Sequence, residues 1–173
     1  TLLVADTLEK LGIKYVIGGS LASALHGVAR ATMDTDIVAD FHNEHVEAFV
    51  EALKSTFYLD DEMIREAIQA HRSFNIIHLE SFFKVDIFVS KEREFDRLQM
   101  ARRSPYVLSI EPEQSAYVAS AEDTILAKLE WYRIGAEVSD RQWRDILGVM
   151  NVQAGKLDLD YLQRGARLLK VVD

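Results

Sequence analysis

Residues 15–40 read YVIGGSLASALHGVARATMDTDIVAD, and the order of segments within this stretch indicates how the chain is built. A β-branched and aromatic run ends in two glycines and a serine, an octet with helical character follows, and a second apolar run comes after a short loop. The pattern predicts a strand, a tight turn, a short helix and a second strand. The second strand is unusual because it contains Asp34 and Asp36, and aspartate is depleted in strands.

The paired aspartates indicate a cation site. Side chains two residues apart on a strand point to the same face, so Asp34 and Asp36 should lie side by side while Thr35 and Ile37 face the other way. Two neighbouring carboxylates repel each other unless the face is solvated or a cation lies between them. A hard divalent ion such as Mg²⁺ takes one or two carboxylates together with substrate phosphates. We therefore expect the pair to bind magnesium; a solvated edge face is the alternative for an isolated Asp-x-Asp pattern.

Two further features would complete a phosphoryl-transfer site. Asp86 is a third acid within an apolar run, and a neighbouring strand in the same sheet would bring it beside the pair. Three carboxylates can hold two metal ions, one activating the attacking oxygen and the other stabilising the leaving oxygen. Gly18, Gly19 and Ser20 form a glycine turn that ends a strand and opens a helix, where backbone N–H groups, the helix dipole and a hydroxyl favour phosphate.

The rest of the chain predicts an α/β protein, in the broader α+β sense, with a small mixed β-sheet flanked by helices and a helical C-terminal part. Strands alternate with helices up to about residue 120, and only helices follow. This change predicts a core over 1–118 and a C-terminal helical region over 119–173 that packs on the core. The predicted helices cover 2–11, 43–55, 60–71 and 92–102. Two more helices are predicted to begin near 121 and 140, and the last covers 158–170. The further predicted strands cover 73–79, 82–89, 105–110 and 115–120.

Composition limits the classes of partner. The net charge of -8 argues against a broad nucleic-acid surface formed by counterion release, although it leaves room for a local basic groove. The absence of cysteine excludes disulfides and thiolate metal sites. No segment approaches the roughly 20 apolar residues of a membrane span, so we expect no membrane partner and a cytoplasmic location. We interpret the basic runs, including 141–144, as solvated helix faces.

The segment GGSLASALHGVARATMDTDIVAD resembles the signature of the polymerase-β-like nucleotidyltransferase superfamily. That signature is a hydrophobic residue, Gly and Gly or Ser, a short helix, Asp-x-Asp, and a third acid on a later strand. The segment is also similar to the minimal prokaryotic branch of AbiEii-type abortive-infection toxin nucleotidyltransferases. The later segments AEDTILAKLEWYR and RQWRDI are similar to the helical second half of that branch, so the resemblance covers about 14–150.

The resemblance implies a nucleotidyltransferase fold and the transfer of a nucleoside monophosphate from an NTP to an acceptor hydroxyl, with release of pyrophosphate. It implies that Asp34 and Asp36 bind metal and triphosphate, that Asp86 activates the acceptor hydroxyl as the third metal-binding acid, and that the glycine turn holds phosphate. Two Mg²⁺ ions and an NTP are the expected cofactor and substrate. Lys128 would face the site from the helical half. Arg30, in the loop that precedes Asp34, could contact the triphosphate.

Several alternatives stay open at this point. The acceptor could be RNA, a protein side chain or a small molecule such as an antibiotic, and a toxin-antitoxin or phage-defence role would add a protein partner such as an antitoxin. A catalytically inactive nucleotide- or partner-binding protein of the same fold, or a metal-dependent phosphohydrolase, would carry similar residues. Lys128 could instead extend along the core, and Arg141 with Asp145 has the spacing of a helix ion pair.

Overall fold

The computed structural model describes residues 1–172. It contains eight α-helices, seven strands and one short 3-10 helix at Asn43–His45. The helices are α1 (Leu2–Lys10), α2 (Gly19–His26), α3 (Val46–Leu53), α4 (Asp61–Gln69), α5 (Glu94–Arg102), α6 (Ala121–Ile134), α7 (Asp140–Val152) and α8 (Leu159–Leu169). The strands are β1 (Tyr15–Ile17), β2 (Asp34–Ala39), β3 (Phe57–Tyr58), β4 (Ser73–His78), β5 (Lys84–Val89), β6 (Ser104–Ile110) and β7 (Glu113–Val118).

All seven strands form one mixed sheet with the order β3-β4-β5-β2-β1-β7-β6. Strand β2 lies at its centre, antiparallel to β1 and parallel to β5. The parallel pairing places Asp36 directly opposite Asp86. The predicted fold class is therefore confirmed: a mixed sheet flanked by helices, with helices alone after β7. The predicted boundary between 118 and 119 stays a prediction.

The central strands are amphipathic, and their two faces have different roles. Thr35, Ile37 and Ala39 of β2 are buried, whereas the alternating residues of the same strand are only partly buried. Strand β5 has the same alternation, with buried Val85 and Ile87. The buried face packs against α1, α3 and α4, which contribute Leu8, Phe49 and Ile64 among others to one hydrophobic core. The opposite face of β2 and β5 is left to face a cleft.

The C-terminal helices begin where the capping patterns predict. The Ser120 hydroxyl accepts a hydrogen bond from the backbone N–H of Asp123 at 3.1 Å, and the Ser139 hydroxyl accepts one from Gln142 at 3.3 Å. Such caps satisfy N–H groups that have no partner within the helix. Because α6 and α7 both pack beside α2, the helical region lies next to the glycine turn. Small apolar clusters around Leu126 and Ile146 fix these helices in place.

Local details differ from the sequence prediction in two places. The helix predicted over 43–55 begins as a 3-10 turn, and its α-helical part is Val46–Leu53. Strand β3 was not predicted, because two residues at the sheet edge carry too short a pattern to be distinguished from a loop. No helix among residues 1–172 has both the length and the apolar composition of a membrane span.

Gly27, at the end of α2, lies close to the backbone of α7, and this close approach leads to a stability prediction. A Cβ atom at this position would lie 2.8 Å from the backbone nitrogen of Val149. Since backbone cannot move aside as a flexible side chain can, we expect Gly27→Ala to lower the free energy of unfolding by about 1–3 kcal/mol. Urea denaturation followed by circular dichroism measures this change.

Gly148→Ala is the matched control, because Gly148 lies within α7 at the same contact. A Cβ atom there would make an ordinary contact of 3.5 Å with Val28. We expect this variant to be neutral or more stable by up to about 1 kcal/mol, since alanine favours a helix interior over glycine. Equal destabilisation by both substitutions would contradict the proposed tight packing at Gly27.

Candidate active site

The floor of the candidate site is the partly exposed face of β2 and β5. The register of these parallel strands places Asp34 opposite Lys84 and Asp36 opposite Asp86, so all four side chains share one face. The Thr32 hydroxyl donates a hydrogen bond of 2.7 Å to the Asp34 carboxylate and holds it at the start of the strand. The three predicted acids are thus neighbours on one face.

The glycine turn is anchored to Asp36 through its backbone and its carboxylate. The N–H of Gly18 donates to the Asp36 carbonyl at 2.9 Å, which continues the pairing of β1 with β2. The backbone N–H of Ser20, in the first turn of α2, faces the Asp36 carboxylate closely enough to act against the increase in its pKa. Between them, Gly19 adopts a φ of +56°, and a Cβ atom there would lie 1.7 Å from the Asp36 Oδ2 atom. Only glycine fits at this position.

Asp36 is held in an environment that disfavours its charge. Burial raises the pKa of the Asp36 carboxyl, and the neighbouring charges of Asp34 and Asp86 raise it further. Lys128 and the Ser20 N–H act in the opposite direction without overcoming these causes. A carboxylate that is desolvated and surrounded by like charges is stabilised by any cation that binds beside it.

A lysine already supplies positive charge to the three acids. The Lys84 ammonium contacts the Asp86 Oδ2 atom at 2.7 Å. Its hydrogen bond with Asp86 raises the pKa of Lys84, and the charges of Asp34 and Asp36 add to the increase. Lys84 lies two residues before Asp86 on the same strand, so the alternation of strand side chains could have indicated this contact; the sequence analysis missed it.

The carboxylates suit a hard divalent cation by their chemistry. Oxygen ligands of this kind are the ones Mg²⁺ takes in proteins, and Lys84 shows that the three acids accept a cation as a neighbour. Within residues 1–172, no three His, Cys, Asp or Glu side chains lie close enough together to hold a metal ion. Magnesium binding by Asp34, Asp36 and Asp86 would therefore need these side chains to move closer together than they are here, and Asp86 would have to give up its contact with Lys84 to bind the ion.

A cluster of cations from the loop and the helical half faces the glycine turn. Asp145 on α7 accepts hydrogen bonds from the Arg30 Nε atom at 3.1 Å and from the Lys128 ammonium at 2.9 Å. Arg30 also donates to the Ser20 hydroxyl at 2.8 Å, and Arg141 donates to the same hydroxyl at 3.2 Å. Although burial opposes ionisation, the hydrogen bonds from Arg30 and Lys128 hold the pKa of Asp145 below its ordinary value.

This cluster corrects one interpretation of the sequence. The spacing of Arg141 and Asp145 predicted a helix ion pair, but Asp145 pairs with Arg30 and Lys128, while Arg141 reaches Ser20. The run at 141–144 is solvent-exposed at Arg141, Trp143 and Arg144, as predicted, and Arg141 in addition contacts the Ser20 hydroxyl. Lys128 does not extend to solvent, since it is 8% exposed and pairs with Asp145. The missing information was the long-range packing of α7 against α2, which local spacing does not contain.

The site opens into a cleft of about 730 Å³ between the sheet and the C-terminal helices. Six of the predicted residues line it: Gly18, Gly19, Ser20, Asp34, Asp36 and Lys128. Of the other two, Arg30 lines a smaller pocket next to the cleft, and Asp86 lies beside Asp36 in the sheet with a side chain 19% exposed. The far wall is aromatic, because the rings of Phe88 and Trp131 pack at a centroid distance of 5.7 Å.

Solved structures with this fold are nucleotidyltransferases or resemble them. An antigenic nucleotidyltransferase-like protein from Paracoccidioides brasiliensis matches with a TM-score of 0.60 and 17% identity, over 98% of this chain and 90% of its own. The lincomycin-bound lincosamide antibiotic adenylyltransferase LnuA matches with a TM-score of 0.53 and 13% identity, over 85% of this chain and 92% of its own. The antibiotic-resistance factor ANT(2'')-Ia matches with a TM-score of 0.58 and 12% identity, over 95% of this chain and 88% of its own.

These likenesses show that the chain has the nucleotidyltransferase fold. At identities of 12% to 17% they show the fold alone. No protein-family model matches the chain, and a comparison with curated proteins finds no match. The activity must therefore be argued from the site itself.

Gly19 generates the first prediction about the site. Gly19→Ala forces a non-glycine residue to a φ of +56° and places a methyl group on the Asp36 carboxylate. We expect it to lower the free energy of unfolding by about 1–3 kcal/mol and to displace Asp36 from the Ser20 N–H. Chemical denaturation measures the first effect. The backbone ¹⁵N–¹H resonance of Ser20 reports the second, because it shifts when the neighbouring carboxylate moves away.

Gly18→Ala is the control for the neighbouring position. Its φ is -122°, and nothing lies within 4 Å of a Cβ atom built there. We expect a change in stability within about 0.5–1 kcal/mol, mostly from the altered entropy of the unfolded chain. If both alanine variants behaved alike, the close approach of Gly19 to Asp36 would be wrong.

The raised pKa of Asp36 predicts how the stability of the protein depends on pH. Because the pKa of Asp36 is raised in the folded chain, the folded state binds the proton more tightly than the unfolded state does. The protein therefore loses stability as the pH rises from the ordinary aspartate pKa of 3.8 through the raised pKa of the folded state. Asp36→Asn should remove this loss and leave the metal-free protein more stable than wild type at pH 7. Thermal unfolding in EDTA between pH 4 and 8 measures it.

The exposed Asp6, paired with Lys10 on α1, offers the control Asp6→Asn. We expect this variant to stay within about 0.5 kcal/mol of wild type at every pH. A loss of stability in metal-free Asp36→Asn at pH 7 would mean that the carboxylate stabilises the turn more than its charge destabilises it.

Proposed function

We propose that this protein transfers a nucleoside monophosphate from an NTP to an acceptor hydroxyl and releases pyrophosphate. One observation supports the proposal above all others: the glycine turn and Asp36 contact each other, with Asp34 and Asp86 on the same face of the sheet. A phosphate-binding helix N-terminus beside three carboxylates suits phosphoryl chemistry that depends on positioning and charge. The shared fold of LnuA, an adenylyltransferase by name, is consistent with it.

Each group of site residues has a separate part in the proposed reaction. The acceptor hydroxyl loses its proton to Asp86 as its oxygen forms a bond to the α-phosphorus, and the bond from that phosphorus to the bridging oxygen of pyrophosphate breaks. The backbone N–H groups and the hydroxyl of the glycine turn hold phosphate oxygens. Asp34, Asp36 and Asp86 would hold two Mg²⁺ ions, which supply charge stabilisation to the attacking and leaving oxygens when bound.

One cation from a loop of the core and one from the helical half would neutralise the triphosphate. Lys128 and Arg30 are both positioned by Asp145, so their directions are set before a substrate arrives. Arg30 also contacts the Ser20 hydroxyl, which places it at the turn proposed to hold phosphate. Pre-positioned charges of this kind lower the reorganisation needed when charge develops on the leaving group.

The acceptor we propose is a small molecule that bears a hydroxyl. The aromatic wall formed by Phe88 and Trp131 lies along the cleft from Asp36, and Phe88 is two residues beyond Asp86 on β5. A ring of an acceptor could pack there while its hydroxyl reaches Asp86. The net charge of -8 disfavours RNA. An AbiEii-type defence role with an antitoxin partner stays a prediction, which co-purification of a stoichiometric partner would test.

A second candidate function is nucleotide or partner binding without chemistry. The observation in its favour is the ion pair between Lys84 and Asp86, which occupies the acid assigned as the base. In that case Lys84 would be a permanent substitute for a metal ion. The two candidates differ in their response to magnesium, so binding experiments separate them before any acceptor is known.

The experiment is calorimetric titration of the four NTPs in Mg²⁺ and in EDTA. We expect magnesium-dependent binding of at least one NTP, with a loss of affinity of at least tenfold in Asp34→Asn/Asp36→Asn because the metal ligands are removed. Transfer of labelled nucleotide to hydroxyl-bearing small molecules would follow, with Asp86→Asn expected to lower the rate by 10²-fold or more. The absence of NTP binding in both buffers would overturn the proposal.

Lys84→Met separates the active candidate from the inactive one. If magnesium must displace Lys84 from Asp86, removing the ammonium should tighten Mg²⁺ binding to the NTP complex about two- to fivefold, the modest value of a partly exposed ion pair. The matched control is Lys54→Met, which removes an exposed lysine paired with Glu51. Unchanged Mg²⁺ affinity in Lys84→Met would favour the inactive candidate.

A further inference from the structure

Gln99 on α5 is a buried polar side chain whose amide has no partner. The residue is 4% exposed and lines the main cleft. Within residues 1–172, this amide makes neither a hydrogen bond nor an ion pair. Its atoms are not sealed from solvent, because the enclosed polar atoms that lack a partner belong to Arg102, Arg103 and Gln142. The amide of Gln99 therefore opens onto the cleft.

A largely buried glutamine amide normally has a partner within the protein. Gln153 is an example in this chain, because its amide donates a hydrogen bond to the His26 carbonyl at 2.7 Å. An amide that leaves water without gaining a partner costs free energy of folding. The unpaired amide of Gln99 is explained if a ligand supplies the missing hydrogen bonds.

The charged side chains that line the cleft on the same helices are already paired. Asp96, one turn before Gln99 on α5, accepts a hydrogen bond from the Arg93 Nε atom at 3.0 Å. Lys128 on α6 donates to Asp145 at 2.9 Å. Because these charges are balanced locally, they do not favour an ionic ligand beside Gln99. The group that this amide binds is therefore neutral and offers both a donor and an acceptor, as the amide itself does.

The position of α5 places Gln99 on the side of the cleft proposed to hold the nucleotide. Helix α5 packs against β1, the strand that ends directly before the glycine turn. Phe95 of α5 also clusters with Ala127, the residue before Lys128 on α6. Strand β5, which carries Asp86 and the acceptor wall, lies on the other side of β2.

We propose that Gln99 binds the base of the nucleotide. The inference rests on the proposed function, which places the triphosphate at the glycine turn. The pairing edge of every nucleobase has a hydrogen-bond donor beside an acceptor, and the two ends of the Gln99 amide match such a pair. Unpaired bases are held by hydrogen bonds to this edge and by packing on apolar side chains. Val38, Phe95 and Ala127 supply apolar surface in the same cleft.

The test is calorimetric titration of the four NTPs and of ribose 5′-triphosphate, which has no base, in Mg²⁺. We expect Gln99→Met to weaken binding of the preferred NTP about tenfold, because methionine keeps the length of the side chain and loses two hydrogen bonds. The affinity for ribose 5′-triphosphate should not change. Gln99→Glu loses the donor and keeps an acceptor, so it should change the order of affinity among the four NTPs. Gln163→Met, at an exposed position of α8, is the control.

Urea denaturation of the ligand-free protein tests whether the amide is unpaired. Gln99→Met should keep or raise the urea midpoint, because it removes a polar group without a partner. Gln153→Met is the matched contrast and should lower the midpoint, since it removes the hydrogen bond to His26. An equal decrease in both variants would overturn the inference, because Gln99 would then stabilise the fold.

The two probes separate the failure of this inference from the failure of the proposed function. Unchanged NTP affinity in Gln99→Met would overturn the inference alone, and so would an equal loss of affinity for NTP and ribose 5′-triphosphate. If wild type bound neither probe, the proposed function would fail and the inference would fail with it.

Discussion

The contact between Asp36 and the glycine turn is the constraint on which the rest of the site depends. The Gly18 N–H donates to the Asp36 carbonyl, and the N–H of Ser20, in the first turn of α2, lies near the Asp36 carboxylate. This contact requires the absence of a side chain at Gly19, since even a methyl group would overlap the carboxylate. It brings the helix terminus that we propose binds phosphate and an acid that we propose binds metal close together. Burial and like charges raise the pKa of Asp36, so the fold holds a carboxylate in a position that a bound cation would relieve.

Charge balance connects this centre to the helical half. Asp145 on α7 fixes Arg30 and Lys128, two cations that come from a loop of the core and from α6. The tight packing of Gly27 against Val149 brings α7 close enough for this arrangement. Asp34, Asp36 and Lys128 line the same cleft, and Asp145 on α7 holds both Lys128 and the loop residue Arg30 in place. A change that weakens the packing between α2 and α7 would therefore also disturb the geometry of the site.

Most of the architecture could be predicted from the sequence because its signals are local. The alternation of β2 and β5, the caps at Ser120 and Ser139 and the glycine turn each depend on residues close together in the chain. The sequence predicted that Asp34, Asp36 and Asp86 share one face of the sheet, because strand side chains alternate and because their two strands were assumed to be neighbours. The pairing of β2 with β5 confirms that assumption. The contacts of Arg141 with Ser20 and of Asp145 with Arg30 could not be predicted, because these partners lie more than a hundred residues apart in sequence and a helix ion pair explains the same spacing. Lys128, the other partner of Asp145, lies on a different helix, so local spacing does not indicate it either. Strand β3 was missed because two residues carry no periodicity.

The central claim is that the glycine turn and the three aspartates form one metal-dependent NTP site. The most direct measurement is a crystal structure with Mn²⁺ and a non-hydrolysable NTP analogue, using the anomalous signal of manganese. The account predicts an anomalous peak between the carboxylates of Asp34 and Asp36, phosphate oxygens on the N–H groups of Gly19 and Ser20, and Lys84 displaced from Asp86. A triphosphate bound elsewhere, or a Lys84–Asp86 ion pair that persists with no manganese at the acids, would contradict it.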